Sequence, residues 1–395
     1  MRSFPVSSNT AGPVSAILKP DNEKSCFLKL FRGFSASGQS LCSNEMTLRR
    51  KFFLNFLKAS LVFLLTGVLL EAFWTCMLAR PDWAAKLPAG LFNRVNILYI
   101  ESSRKMIQTE PQSIQYHPKL AYLLRPGTWK FSNPEFSNTF HVNQAGFRDD
   151  EISFQSPEVI VAGDSFAMGW GVEQDETFAQ VLEKKTGFKV LNMGVASYGT
   201  AREMRALDLV DTSRLRYLIL QYSDNDYEEN KDFFRRKNKI SVNTEAEQLG
   251  AIENARKERR YWPGRYTWMA VKSLPEAFRN LSHPKKNDPE FRRDKGFLFL
   301  NALMYAHRAD LSGVRVITFE INSHGGGDSG QDFFYSLVNT VLLNDFPPFI
   351  KRMKVIDFSK RLKDREHYYV LDDHLNAKGH QAVADLTLQA MNDIW

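Results

Sequence analysis

From Pro157 onward, short apolar runs alternate with amphipathic stretches of helical period. The runs read EVIVAG, KVLN, RYLILQY, VRVITFEI and KVIDF; candidate helices fall near Thr177–Lys185, Ala201–Val210, Phe297–His307 and Asp332–Leu343, with a last one from about Ala377. Runs this short and apolar throughout suit strands covered on both faces, and a helix between successive runs supplies the crossover that parallel strands need. The expected fold is therefore α/β, a three-layer α/β/α arrangement around a mostly parallel sheet, flavodoxin-like. Ligands in such sheets bind outside the carboxyl ends of the strands.

The residues at those strand ends carry the chemistry. Val159-Ile160-Val161-Ala162 runs straight into Gly163-Asp164-Ser165-Phe166, so Ser165 should be exposed at the ligand edge, where the next helix begins. A serine hydroxyl needs a base, and the base needs an orienting carboxylate. Asp372-Asp373-His374, ahead of the last helix, offers both: two residues apart, Asp372 and His374 can point the same way. The competing reading is a surface histidine beside two solvated acids. The segments from Asn192 to Thr200 and from Ser223 to Asp226 follow the second and third strands, and could lend a backbone N–H and an asparagine amide to a developing oxyanion. A second Gly-Asp-Ser, Gly327-Asp328-Ser329, sits in the loop SHGGGDSGQ and reads as a turn, and His324 there as an ordinary loop residue. That loop lacks the lysine and helix context of a phosphate-binding loop, and no metal constellation or cofactor motif is visible.

This ordered set resembles the SGNH, or GDSL-type, hydrolase superfamily over roughly Pro157 to Trp395. Asn143 to Arg148 (NQAGFR) also looks like the lead-in of its membrane-anchored bacterial members. The resemblance implies Ser165 as nucleophile and first oxyanion donor. Ser197 stands where the family has its oxyanion glycine, and Asn225 is the asparagine donor of a block that here begins with Ser223 in place of glycine. The family's longer Asp-x-x-His spacing would put the acid at Leu371, which cannot serve; the shorter Asp-x-His spacing of some relatives fits Asp372 and His374. The implied activity is that of a serine esterase or deacylase acting on an ester of a cell-envelope glycan, lipid or small molecule. An O-acyltransferase acting on an envelope polysaccharide would use the same residues, and a non-catalytic binding protein could keep the same fold.

A different pattern precedes this domain. Phe52 to Leu70 (FFLNFLKASLVFLLTGVLL) is about the length needed to cross a bilayer. Eight basic residues against three acidic ones precede it, which by the positive-inside rule keeps the N-terminus cytoplasmic and places the rest beyond the membrane. The alternatives are a buried core helix and a cleaved signal peptide, with translation starting at Met1 or at Met46. The expected organisation is a cytoplasmic, disordered tail (1–51), a transmembrane signal anchor (52–79), a lead-in of short strands and turns (80–150) and the hydrolase domain (151–395). That domain carries a basic helical insertion at about 227–296. The formal charge of +7 resolves into that tail and that insertion, which holds 17 basic and 11 acidic residues, leaving the scaffold slightly acidic. Nucleic acid is therefore not an expected partner. All three cysteines lie at or before Cys76, which excludes a disulfide scaffold and a cysteine nucleophile for the hydrolase domain.

Overall fold

The computed structural model describes residues 37–273, 289–323, 329–358, 361–362 and 365–393. The Gly327-Asp328-Ser329 turn, His324 and the stretch 274–288 of the insertion lie wholly or largely outside them. The chain falls into two compact units, Met1–Thr66 and Gly67–Trp395.

In the first unit the described part is helical, belonging to a helix that runs continuously from Ser37 to Ala79. Helix thus begins well before Phe52, inside the segment expected to be a disordered tail. Its portion Leu48–Ala79 is long and apolar enough to cross a membrane, its most apolar 18-residue stretch having a mean hydropathy of 2.0. The side chains of Phe52, Phe56, Leu61 and Phe63 are exposed, which no core helix would allow.

The second unit holds two antiparallel hairpins and one parallel sheet. β1 (Ile114–His117) pairs with β2 (Ala121–Leu124), and β3 (Gly127–Asn133) with β4 (Phe136–Val142). β5 (Val159–Ala162), β6 (Val190–Asn192), β7 (Tyr217–Tyr222), β8 (Arg315–Glu320) and β9 (Lys354–Ile356) form a five-stranded sheet in the order β6-β5-β7-β8-β9, every pair parallel. Alternation along each strand feeds two cores. Ile160, Ala162, Leu218 and Leu220 face one cluster, with Met204, Leu303 and Leu337 from helices Thr200–Ala206, Pro289–Tyr305 and Ser329–Leu343. Val159, Val161, Tyr217 and Ile219 face the other, with Leu182 and Val383 from helices Phe178–Thr186 and Ala377–Asn392. Burial on both faces is why these strands read as unbroken apolar runs. Local signals bound the helices as the sequence suggests: the Thr177 side chain accepts the N–H of Gln180 and Gly187 closes that helix in the left-handed region, while Asn376 caps the last helix through the N–H groups of Lys378 and Gly379.

The lead-in departs from expectation at its start. Residues Pro81–Ala84 and Ala89–Leu98 are helical, and Tyr99–Ser103 is a π-turn, where strands and turns were expected; the strands begin only at Ile114. Phe92, Val95, Leu98 and Tyr99 form one buried stripe of helical spacing, too short to stand out against the neighbouring prolines. Those prolines start helices rather than breaking them: Pro81 is the first residue of one, and Pro88 precedes the other.

Candidate active site

The turn after β5 is built by close approach. A Cβ on Gly163 would lie 2.5 Å from Gln221 Oε1 and 2.7 Å from the Ala167 Cβ, so the backbone passes where no side chain fits. Asp164 then caps the single helical turn Ser165–Met168: its Oδ1 accepts the Phe166 N–H at 2.9 Å and its Oδ2 the Asn225 side-chain amide at 3.0 Å. Ser165 opens that turn, with Oγ 2.7 Å from His374 Nε2, and His374 Nδ1 lies 2.6 Å from Asp372 Oδ1.

Asp372 is fully buried, and its second oxygen is also occupied. Oδ2 accepts Tyr99 Oη–H at 2.9 Å and Trp170 Nε1–H at 3.1 Å, while the Trp170 ring stacks on the imidazole with centroids 4.8 Å apart. The π-turn at Tyr99–Ser103 shapes the end of the helix from which Tyr99 reaches the carboxylate. Asp373 stands on the other side: its Oδ1 is 3.2 Å from His374 Nδ1 and pairs with Arg104, and its Oδ2 accepts Ser323 Oγ–H at 2.7 Å. Glu135, at the tip of the β3–β4 hairpin, fixes the loop itself by accepting the N–H groups of Val370, Leu371 and Asp372 at 2.6, 2.8 and 2.6 Å. Arg148, from the NQAGFR lead-in, is buried and donates to the carbonyls of Met168, Gly169 and Val172, holding the far end of the Ser165 turn.

Ser165, Ser197, Asn225 and His374 line one cavity of about 260 Å³, with Asp372 behind the imidazole. Ser197 has φ +63°, in the left-handed region, which explains why this position favours glycine; a serine there costs about 1 kcal/mol. Its exposed Oγ accepts a hydrogen bond from Gln108 Nε2 at 2.9 Å. Ser223 Oγ donates to Asn322 Oδ1, which also takes the Asp224 N–H, fixing the loop that carries Asn225. The five residues singled out in the sequence thus come together. Asp372, Asp373 and His374 are close enough to share a cation, but Tyr99, Trp170, Arg104 and Ser323 already donate to the carboxylate oxygens. That donor set suits an anionic pair facing an imidazole.

Burial by itself would depress the His374 pKa, but Asp372 and then Asp373 outweigh it and hold it at about 9, against an ordinary 6.5. Both carboxyls are held below the usual range: burial opposes this, and His374 and Arg104 overcome it. A base must be neutral to take a proton, so kcat/KM for an ester substrate is expected to rise with pH through a midpoint near 9. Asp373→Asn removes one of the charges that favour imidazolium and should move that midpoint down; an unchanged midpoint would show that Asp373 does not act on the imidazole. The same shift adds stability that is full below 6.5 and is lost as pH rises through about 9.

Tyr99, Arg104, Trp170 and Glu135 carried no signal of this role in the sequence. Asp373 did, as the second acid beside His374.

The sheet runs β6-β5-β7-β8-β9, with Ser165 at the carboxyl end of β5. The fold is the one that the SGNH, or GDSL-type, resemblance implies. No family model matches the chain, and no curated protein does. Solved structures do: a putative lipolytic protein of the G-D-S-L family from Desulfitobacterium hafniense DCB-2 is 14% identical, with 58% of this chain and 97% of that one covered and a TM-score of 0.29. A carbohydrate esterase, whose active site is described as displaying divergent catalytic and non-catalytic binding functions, is 12% identical, with 60% and 69% covered and a TM-score of 0.31.

Proposed function

We propose that this chain is a membrane-anchored serine esterase or deacylase. The observation that carries the reading is the continuous relay from Ser165 Oγ through His374 to the buried Asp372, at 2.7 and 2.6 Å. In this reading His374 Nε2 takes the Ser165 proton as Oγ attacks the ester carbonyl. The backbone N–H groups of Ser165 and Ser197 and the Asn225 amide receive the oxyanion. His374 then protonates the departing alcohol, and water, activated by the same imidazole, releases the acid.

The cavity limits the substrate. Its volume of about 260 Å³ and lining of Arg104, Gln108, Asn322 and Asp373 suit a short acyl group on a polar alcohol rather than a long acyl chain. The apolar helix and the basic residues before it support an N-terminus in the cytoplasm and a hydrolase domain on the far side, where an envelope glycan or lipid ester is the accessible substrate class.

The test is covalent labelling of the full chain in detergent with a fluorophosphonate. Wild type should form an adduct that maps to Ser165, and Ser165→Ala should form none; a folded wild-type protein that fails to label refutes the mechanism. Release of free acid from an acetylated glycan, rather than transfer of the acetyl group to a second glycan, would separate hydrolase from transferase.

A further inference from the structure

The segment that receives the end of the apolar helix leaves several aromatic side chains exposed. Val68, Leu69 and Leu70 are exposed; from Glu71 the helix turns inward, and Glu71, Trp74, Met77 and Leu78 are buried. The Glu71 carboxylate accepts the N–H and Oγ1–H of Thr267, both at 2.8 Å, and the N–H of Tyr266 at 3.3 Å. These are first-turn groups of the helix Arg265–Lys272, whose N-terminus is therefore fixed beside the residue where the lipid-facing surface ends.

That short helix has two faces. Tyr266, Met269 and Ala270 pack into a cluster with Trp74, Met77 and Phe92. Trp268 and Val271 point away and are 58% and 52% exposed; in the turn before the helix Tyr261 and Trp262 are 49% and 46% exposed. Exposed cations, Arg256, Arg260 and Lys272, flank them. Two tryptophans, a tyrosine and a valine, each about half exposed within eleven residues, form a costly surface in water. The same set is favoured at the headgroup level of a bilayer, where aromatic rings span the polarity gradient and cations meet phosphate.

We infer that Tyr261–Lys272 seats in the interfacial layer of the membrane into which the preceding apolar helix inserts. This rests on the membrane reading of that helix. Leu371 is buried in the same cluster as Trp74, its carbonyl accepts the Asn96 amide at 2.7 Å, and Tyr99 of the same helical layer holds Asp372. Seating the segment therefore also ties the support of the candidate catalytic loop to the bilayer surface.

The experiment uses the full chain with Cys26, Cys42 and Cys76 changed to serine, reconstituted in vesicles of phosphatidylcholine and phosphatidylglycerol. Single cysteines are introduced as Trp268→Cys, Val271→Cys, Leu64→Cys and Tyr335→Cys, each labelled with an environment-sensitive fluorophore. Iodide quenching at 268 and 271 should be roughly fivefold weaker than at 335, with strong quenching there by lipids spin-labelled near the headgroup, and at 64 by lipids labelled deep in the chain. Iodide access at 268 and 271 equal to that at 335, with 64 still quenched by lipid, overturns the docking and leaves the span standing. Protection from both quenchers at 268 and 271 overturns it too, since a protein partner would then cover the patch. Loss of lipid quenching at 64 overturns the membrane reading itself, and the docking with it.

Discussion

Asp372→Asn is expected to lower kcat/KM for a simple acetyl ester about 10⁴-fold, the cost typical of removing the orienting carboxylate from a serine-histidine-acid relay. The reason is specific to the groups around this carboxyl. Tyr99 Oη–H and Trp170 Nε1–H both donate to Oδ2, so an asparagine cannot turn its NH₂ toward them without setting donor against donor. Its carbonyl oxygen must take the Oδ2 place and its NH₂ the Oδ1 place, 2.6 Å from His374 Nδ1. The amide then donates to Nδ1, forces the imidazole proton onto Nε2, and leaves no lone pair for the Ser165 hydroxyl. Substrate contacts are untouched, so the loss should fall on kcat. Nitrogen-15 spectra of the imidazole should show the tautomer reversed. Asp373→Asn, whose oxygen is 3.2 Å from the same nitrogen and is also held by Arg104 and Ser323, should cost tenfold or less. If the two variants behaved the other way round, Asp373 would be the orienting acid.

The contrast between these neighbouring acids shows what the sequence could and could not carry. β5, β7 and β8 are legible because strands buried on both faces must be apolar at every position, and Ser165 because it abuts the end of β5. His374 and Asp372 are legible because a two-residue spacing lies within one turn of chain. The spacing from His374 marks Asp372, but the groups that hold its second oxygen, Tyr99 and Trp170, lie 273 and 202 residues away, and no local spacing records such contacts. Glu135 is of the same kind: one carboxylate accepts three consecutive N–H groups more than two hundred residues downstream. Ser197 is intermediate. The resemblance marks its position as glycine, and φ +63° shows what that glycine encodes, a backbone conformation rather than a chemical group.

Gly194→Ala tests the other face of that statement, a glycine required by space. Its φ is not in the left-handed region, yet an added Cβ would lie 2.3 Å from Met168 N and 2.7 Å from Ala167 C and Met168 Cα. These are backbone atoms, so no change of side-chain rotamer relieves the collision. Either the Ser165–Met168 turn or the Met193–Ser197 loop must move. The two are otherwise locked together: the Asn192 amide donates to the Met168 carbonyl at 3.4 Å, and the Gly163 carbonyl holds the Val195 N–H at 3.1 Å. The expected cost is about 3 kcal/mol or more of stability, with fluorophosphonate labelling of whatever remains folded reduced well below its share. Gly187→Ala is the control. Gly187 sits at φ +69° with nothing within 4 Å of a new Cβ, so it should lose about 1 kcal/mol by strain alone and label normally once folded. Thermal unfolding in detergent with labelling of the same samples separates the two. Equal damage from both substitutions would mean that contact between the Ser165 turn and the Ser197 loop does not set the geometry at Ser165.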